Sequence, residues 1–307
     1  MTKLKLLFIT TEMSRNLERN SNYLAQKLAG LTSLQLWHEP GDIREIVGHL
    51  RERPDFILLN DMKESPEVTG WDSISIPFGV IFFDLHYARH YRESFIWDND
   101  VKLIFSVYRD KFFEWYPDFT GRMVWLPLYV NTDIFRDYEL PKTIDCLMMG
   151  AVTGWCYPLR KRMLDTLHRE SWFVYHDHPG YRNIGENEKH VFVGENYAKE
   201  INRAKLFLTC DSIYKYPVSK YYETLACRTL LLASSSNELR DLGFIPGEHF
   251  VEVDEDNFKD KIDYYLAHDE ERQRITDQGW KMVQERYSTA RRAKLVVRTI
   301  ENVLKRR

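Results

Sequence analysis

Short apolar runs recur along this chain at intervals the length of a helical crossover, and that alternation limits its fold more than any other feature. Residues 4–10 read LKLLFIT, 56–59 FILL, 103–107 LIFSV, 144–149 IDCLMM, 206–209 LFLT and 229–233 TLLLA. Such runs suit strands buried on both faces of a parallel sheet. Further strands are predicted at 34–37, 80–83, 123–126, 173–175 and 250–253. Amphipathic helices fall between them. Leu17, Leu24, Leu28 and Leu31 share one stripe, and Ile43, Ile46, Val47 and Leu50 share another that Asp42 is placed to cap. Helices are also expected at 159–167, 197–204, 257–267 and 270–285. The pattern predicts the α/β class, with doubly wound parallel sheets.

A chain of 307 residues is long for one core and comfortable for two domains of about 150 residues each. Pro127, Asn131, Asp133 and Pro141 punctuate a linker at 127–142. The predicted division is an N-terminal Rossmann-like domain at 1–135, a C-terminal one at 136–285 and a basic helix at 286–307. In that tail Arg286, Arg291, Arg292, Lys294, Arg298, Lys305, Arg306 and Arg307 face one acid, Glu301, around a stripe of Leu295, Val296, Ile300 and Val303. The stripe favours a last helix packed across both domains. A peripheral contact with anionic lipid or nucleic acid is the other reading.

The 43 basic and 46 acidic residues nearly balance, so no bulk field draws the chain to nucleic acid or membrane. The apolar run after Lys3 and Lys5 is too short for a signal peptide, and no segment approaches a membrane span. Cys146, Cys156, Cys210 and Cys227 are scattered without a CxxC pair, which fits buried thiols in a cytoplasmic protein. No GxGxxG follows the first strand. In open α/β sheets ligands bind beyond the carboxyl ends of the strands, so the cleft between the two domains is the expected site.

The stretch at 217–233, PVSKYYETLACRTLLLA, reads as an amphipathic helix feeding a buried strand. Lys220 and Glu223 share one helix face. A carboxylate there, at the carboxyl edge of a sheet, is placed to accept two hydrogen bonds from a ribose; an ordinary exposed Lys–Glu pair has the same spacing. Three further segments flank it in order: DCLMMGAVTGWCYPLRKRMLDTL, YAKEINRAKLFLTC and FIPGEHFVEVDEDNFKDKIDYYLAHDEERQRITDQGW. Together they make residues 127–295 resemble the glycosyltransferase family 1-like domain of CgeB-type proteins, relatives of the GT-B nucleotide-sugar glycosyltransferases.

The resemblance implies a GT-B fold: two Rossmann-like domains facing across a cleft, the second holding a UDP- or GDP-sugar. Glu223 matches the family's ribose-binding glutamate. Lys220 and Arg160 become candidates for the diphosphate, aided by backbone N–H groups of the turn from Gly150 to Gly154 that opens the Arg160 helix. Tyr197 matches a position near the donor's base or ribose. Related retaining enzymes carry a second glutamate eight positions before the first, where this chain has Lys215; Asp211, four residues earlier, is the nearest acid.

In the N-terminal half FFDLHYARHYRESF ends a strand and starts a helix, which places Asp84 and His86 toward the cleft as candidate bases for an acceptor hydroxyl. A helix cap and an edge histidine are their plain alternatives. Glu12, after the first strand, is a third candidate. The groups Asp84/His86/His90 and His176–Asp177–His178 lack a strong metal-ligand spacing, and DND at 98–100 and DED at 254–256 resemble the metal motif of a different transferase fold, so no metal and no cofactor is expected. The implied function is transfer of a sugar from a nucleotide diphosphate-sugar to a hydroxyl of a glycan, small molecule, protein or modified nucleic acid. The alternatives are a non-catalytic binding or assembly protein, for which the missing glutamate argues, and a transferase acting on a modified nucleic-acid base, for which the basic tail argues.

Overall fold

β1 (Lys5–Ile9) is buried from Leu6 onward, as a run without polar alternation must be. It lies inside a six-stranded parallel sheet with β2 (Ser33–Trp37), β3 (Phe56–Leu59), β4 (Phe78–Phe82), β5 (Leu103–Ser106) and β6 (Met123–Trp125), in the order β2-β1-β3-β4-β5-β6. The inner strands β3, β4 and β5 are buried throughout, whereas the edge strands β2 and β6 are mostly half-buried. Composition follows position: SLQLW carries polar residues where one side of the strand has no neighbour. The connections contain α1 (Asn20–Leu31), α2 (Ile43–His49), α3 (Arg89–Asp98) and α4 (Arg109–Trp115). The computed structural model describes residues 3–306.

A second parallel sheet repeats the arrangement with five strands: β7 (Ile144–Met149), β8 (Phe173–His176), β9 (Ala204–Leu208), β10 (Leu230–Ala233) and β11 (Val251–Glu252), in the order β8-β7-β9-β10-β11. Around it lie α5 (Pro158–Leu167), α6 (Glu195–Asn202), α7 (Ser219–Ala226), α8 (Asn237–Asp241), α9 (Phe258–Ala267) and α10 (Asp269–Arg286). Alternate residues of a strand face opposite sides. Cys146, Met148, Leu206, Leu208, Leu230 and Leu232 thus share a core with Met163 and Leu167 of α5 and Phe258, Ile262 and Tyr265 of α9. α7 and α10 pack on each other and on β10. In each sheet the chain reverses its direction of winding beside the first strand, between β1 and β3 and between β7 and β9, and such reversals open a crevice beyond the carboxyl ends.

The chain divides into one unit formed by its start up to Pro127 with the segment from Thr289 onward, and another spanning Leu128–Ser288. The predicted boundary at 135 lies inside the second unit, because Leu128, Tyr129, Val130 and Phe135 are buried and Val130 bridges to Ser288. The final helix, α11 (Thr289–Lys305), belongs to the first unit and packs on α1. Ala293, Val296 and Ile300 form its buried stripe, Arg292 Nε donates to the Pro127 carbonyl at 2.9 Å, and Arg291, Lys294 and Arg298 are exposed. Among the described residues no helix is long and apolar enough to cross a membrane.

Candidate functional site

In the second unit Arg160 links the segments that follow β7 and β9. Its Nη1 donates to the Ala151 carbonyl at 2.6 Å, and Nη2 donates to Thr209 Oγ1 at 3.0 Å and to the Cys210 carbonyl at 3.2 Å. The side chain is only 2 % exposed and its guanidinium lies 4.0 Å from the Tyr157 ring centroid. Arg160 therefore braces the two loops that leave β7 and β9. This differs from the expectation of a diphosphate ligand: position 160 falls on the inner face of α5, so both terminal nitrogens meet protein acceptors. Gly154 precedes α5 by a further turn, and the helix itself starts at Pro158, which has no N–H to offer.

Gly150 follows β7 with φ +109°, and a Cβ built on it would lie 2.6 Å from Lys220 Cε and 2.9 Å from Lys220 Nζ. Glycine takes that φ without strain, and a Cβ there would push the tip of Lys220 aside. Glu223 lies one turn farther along α7, half-buried, and its carboxylate accepts a hydrogen bond from the Tyr197 hydroxyl at 3.2 Å. Burial pushes the Glu223 pKa up, with Lys220 and the Tyr197 bond acting against it. Tyr197 is fixed by its place on α6 and by an edge contact with Phe135, ring centroids 5.9 Å apart. The structure thus brings Gly150, Lys220, Glu223 and Tyr197 to one end of the second sheet.

Lys215 is exposed in a left-handed conformation (φ +62°), and its Nζ lies 3.6 Å from Asp211 Oδ2. Asp211 is buried and receives the Ser234 hydroxyl at 2.7 Å on Oδ1, and burial raises its pKa. With Pro158, Leu159, Ile213, Ser234 and Asp254 these residues line an open depression of about 300 Å³. The DED triplet is a turn: Asp254 Oδ1 accepts from the N–H groups of Asp256 and Asn257 ahead of α9. Among the described residues no group of three or more His, Cys, Asp or Glu is arranged to hold a metal ion.

In the first unit, polar residues gather beyond β3 and β4. Asp61 and Arg92 form a buried ion pair, Arg92 Nη2 lying 2.7 Å from both carboxylate oxygens, and the Phe83 N–H donates to Asp61 Oδ2 at 2.8 Å. Arg92 Nη1 donates to the Asp84 carbonyl at 2.8 Å. Asp84 does not cap α3, since that position is Ala88 in a left-handed conformation (φ +47°). Burial depresses the His86 pKa while Asp84 opposes the shift. Glu64, which the sequence reading passed over, accepts from Ser21 Oγ at 3.0 Å and Asn60 Nδ2 at 3.2 Å, and burial raises its pKa. Its signal was the polar pair Asn60–Asp61 directly after FILL. Glu12 lies elsewhere in character: its carboxylate accepts the Ser14 N–H at 2.8 Å, and bonds from Ser14 hold its pKa low, which makes it a weak base.

A family model described as glycosyl transferase-like matches residues 160–298. A glycosyltransferase from Rickettsia africae ESF-5 shares the fold with a TM-score of 0.67, 13% identity, and coverage of 99% of this chain and 99% of its own. Anabaena Alr3699/HepE, solved in complex with UDP-glucose, gives a TM-score of 0.65 at 8% identity, covering 97% of this chain and 100% of that one. An alpha-glucosyltransferase in complex with UDP-glucose and DNA containing an abasic site gives 0.63 at 10% identity over 98% and 100%. No curated protein matches the chain in sequence. The chain has the GT-B fold that these solved glycosyltransferases share, and its residues 160–298 are similar to the glycosyl transferase-like family.

Proposed function

We propose that the protein transfers a sugar from a nucleotide diphosphate donor, held by the second unit beyond β7 and β9, to an acceptor hydroxyl. The observation that carries this reading is the approach of the Lys220 ammonium to Gly150, with Glu223 one turn away. An ammonium and a carboxylate at that separation on one helix fit a diphosphate followed by a ribose. Glu223 accepts from the ribose hydroxyls, and Tyr197 fixes the carboxylate for that purpose. Lys220 meets the charge that builds on the departing diphosphate, a preorganised contribution that needs no rearrangement during the reaction. Arg160 acts indirectly, keeping the β7 and β9 loops at the spacing the donor requires. The relative solved with UDP-glucose supports a UDP-sugar as the first donor to try.

On the acceptor side the first unit supplies Asp84, His86 and Glu64. An imidazole held neutral by burial suits proton abstraction from a hydroxyl near pH 7. Asp61 is outside this role because Arg92 neutralises it. The test is a melting-temperature series with UDP, GDP and their common sugar conjugates, followed by an assay of slow sugar release from any nucleotide sugar that stabilises the protein. Stabilisation with release supports the transferase. Stabilisation without release favours a binding protein on the same fold, and no stabilisation by any nucleotide overturns the donor site.

A further inference from the structure

None of Lys220, Glu223 and Tyr197 lines the depression of about 300 Å³ in the second unit. It lies beyond the carboxyl ends of β9, β10 and β11, where Asp211, Ser234 and Val253 follow the three strands. Pro158 and Leu159 at the start of α5, with Ile213 and Val253, give it an apolar wall. Its polar side is built around Asp211, which is 7 % exposed. One carboxylate oxygen is satisfied: Ser234 Oγ donates to Oδ1 at 2.7 Å and accepts the Asp211 N–H at 2.9 Å. The other, Oδ2, is buried and accepts no hydrogen bond from the described residues. Lys215 Nζ stands 3.6 Å from it, outside hydrogen-bonding distance, on a side chain that is 66 % exposed. Because that stem is exposed, the ammonium can swing off Asp211 without disturbing the core. A buried carboxylate oxygen left in this state is costly, and a ligand hydroxyl that donates to it removes the cost.

Two chains of contacts join the depression to the place where Lys220 meets Gly150. Arg160 binds the Ala151 carbonyl with Nη1 and the Cys210 carbonyl with Nη2, so Cys210, which lines the depression, is one guanidinium away from the residue after Gly150. The Tyr221 hydroxyl donates to the Ser234 carbonyl at 2.7 Å, and Tyr221 adjoins Lys220 on α7. The depression has the size of one monosaccharide rather than of a nucleotide. A pyranose ring offers apolar C–H faces and a rim of hydroxyls, which matches an apolar wall beside a carboxylate acceptor. Asp211, Asp254 and Glu255 outnumber Lys215 around it, so a carboxylate on the ligand meets net repulsion.

We infer that this depression receives the sugar of the nucleotide sugar, that Asp211 Oδ2 accepts from one of its hydroxyls, and that the site selects neutral sugars over uronic acids. The inference rests on the donor site proposed above and adds to it the class of sugar. It also separates Asp211 from the groups that hold the nucleotide, since a bare nucleoside diphosphate leaves the depression empty.

The experiment is calorimetric titration of the full chain with UDP, UDP-glucose, UDP-galactose, UDP-N-acetylglucosamine and UDP-glucuronate, and with GDP and GDP-mannose. Asp211→Asn keeps an acceptor for Ser234 and places an amide where Oδ2 was. It is expected to bind the neutral conjugate that the wild type prefers about tenfold more weakly, and to bind the bare diphosphate as the wild type does. Ile213→Trp fills the depression from its exposed wall and should give the same selective loss; it decides the matter should Asp211→Asn fail to fold. UDP-glucuronate should bind the wild type at least about tenfold more weakly than UDP-glucose. Wild-type affinity for the conjugate in both variants, or a loss in Asp211→Asn that is as large for the bare diphosphate, overturns the contact with the sugar. Equal binding of UDP-glucuronate and UDP-glucose overturns the selection by charge. If Glu223→Ala weakens every ligand while neither variant separates conjugate from diphosphate, the donor site stands and only this inference falls. Failure of the wild type to bind any of these nucleotides removes the two together.

Discussion

Glu223 and Gly150 carry the two sharpest consequences at the scale of single residues. Glu223→Ala should weaken nucleotide binding roughly ten- to hundredfold, the worth of one or two hydrogen bonds to a charged group. Isothermal titration reads this directly, and an unchanged dissociation constant would remove the ribose assignment. Gly150→Ala acts through space and backbone together. The new methyl meets Lys220 Cε at 2.6 Å, and φ +109° is a conformation that alanine adopts at a cost of about 1–3 kcal/mol. Both stability and nucleotide affinity should fall. Combining Gly150→Ala with Lys220→Ala should recover part of the stability and none of the affinity, because the methyl then has room while the ammonium is gone. A strictly additive double mutant would show that the two residues do not share this space. The shared helix face of Lys220 and Glu223 could be read from their spacing before TLLLA, whereas the ribose role of Glu223 is implied only by the family resemblance. Arg160 could not be read in this way, since YPLRKR offers three cations and only the packing of α5 shows which one turns inward.

At the scale of elements, α11 separates charge from burial. Its basic residues suggest a binding surface, but Ala293, Val296 and Ile300 hold it against α1 as part of the first unit. Ile300 is fully buried, so Ile300→Ala should cost about 2–5 kcal/mol in chemical denaturation. Arg298→Ala, on the exposed side, should change stability by no more than about 0.5 kcal/mol. Equal effects at the two positions would contradict the packing. The stripe that predicted a packed helix was legible, because a period of 3.6 residues survives among the arginines. Which element it packs on was not, because periodicity reports that a face is buried and nothing about its partner. The same limit explains the linker. Pro127, Asn131, Asp133 and Pro141 mark a change of direction, whereas the actual division at Pro127 depends on Leu128, Tyr129 and Val130 finding a core, and their apolar character alone does not say in which unit.

At the scale of the whole molecule, half-buried acids on both units shape how stability responds to pH. Glu64 in the first and Glu223 in the second are both pushed above the ordinary glutamate range, mainly by burial. The folded protein therefore keeps protons that the unfolded chain has already released. Stability must fall as pH rises from about 4.3, the ordinary value, until each folded-state pKa is passed, and beyond that it stays at the lower level. The slope cannot exceed about 1.4 kcal/mol per pH unit for each group. Glutamine at either position removes the titration while keeping the shape. Glu64→Gln and Glu223→Gln should each flatten the decline in melting temperature across mildly acidic to neutral pH, and each should leave the other's share intact, since the two residues belong to separate cores. A bound nucleotide adds a second separation. Ribose hydroxyls that donate to Glu223 favour its ionised form, so saturating UDP or GDP should remove the Glu223 share of the slope and leave the Glu64 share in place. A slope that nucleotide leaves untouched, in a protein that binds it, would place the nucleotide away from Glu223.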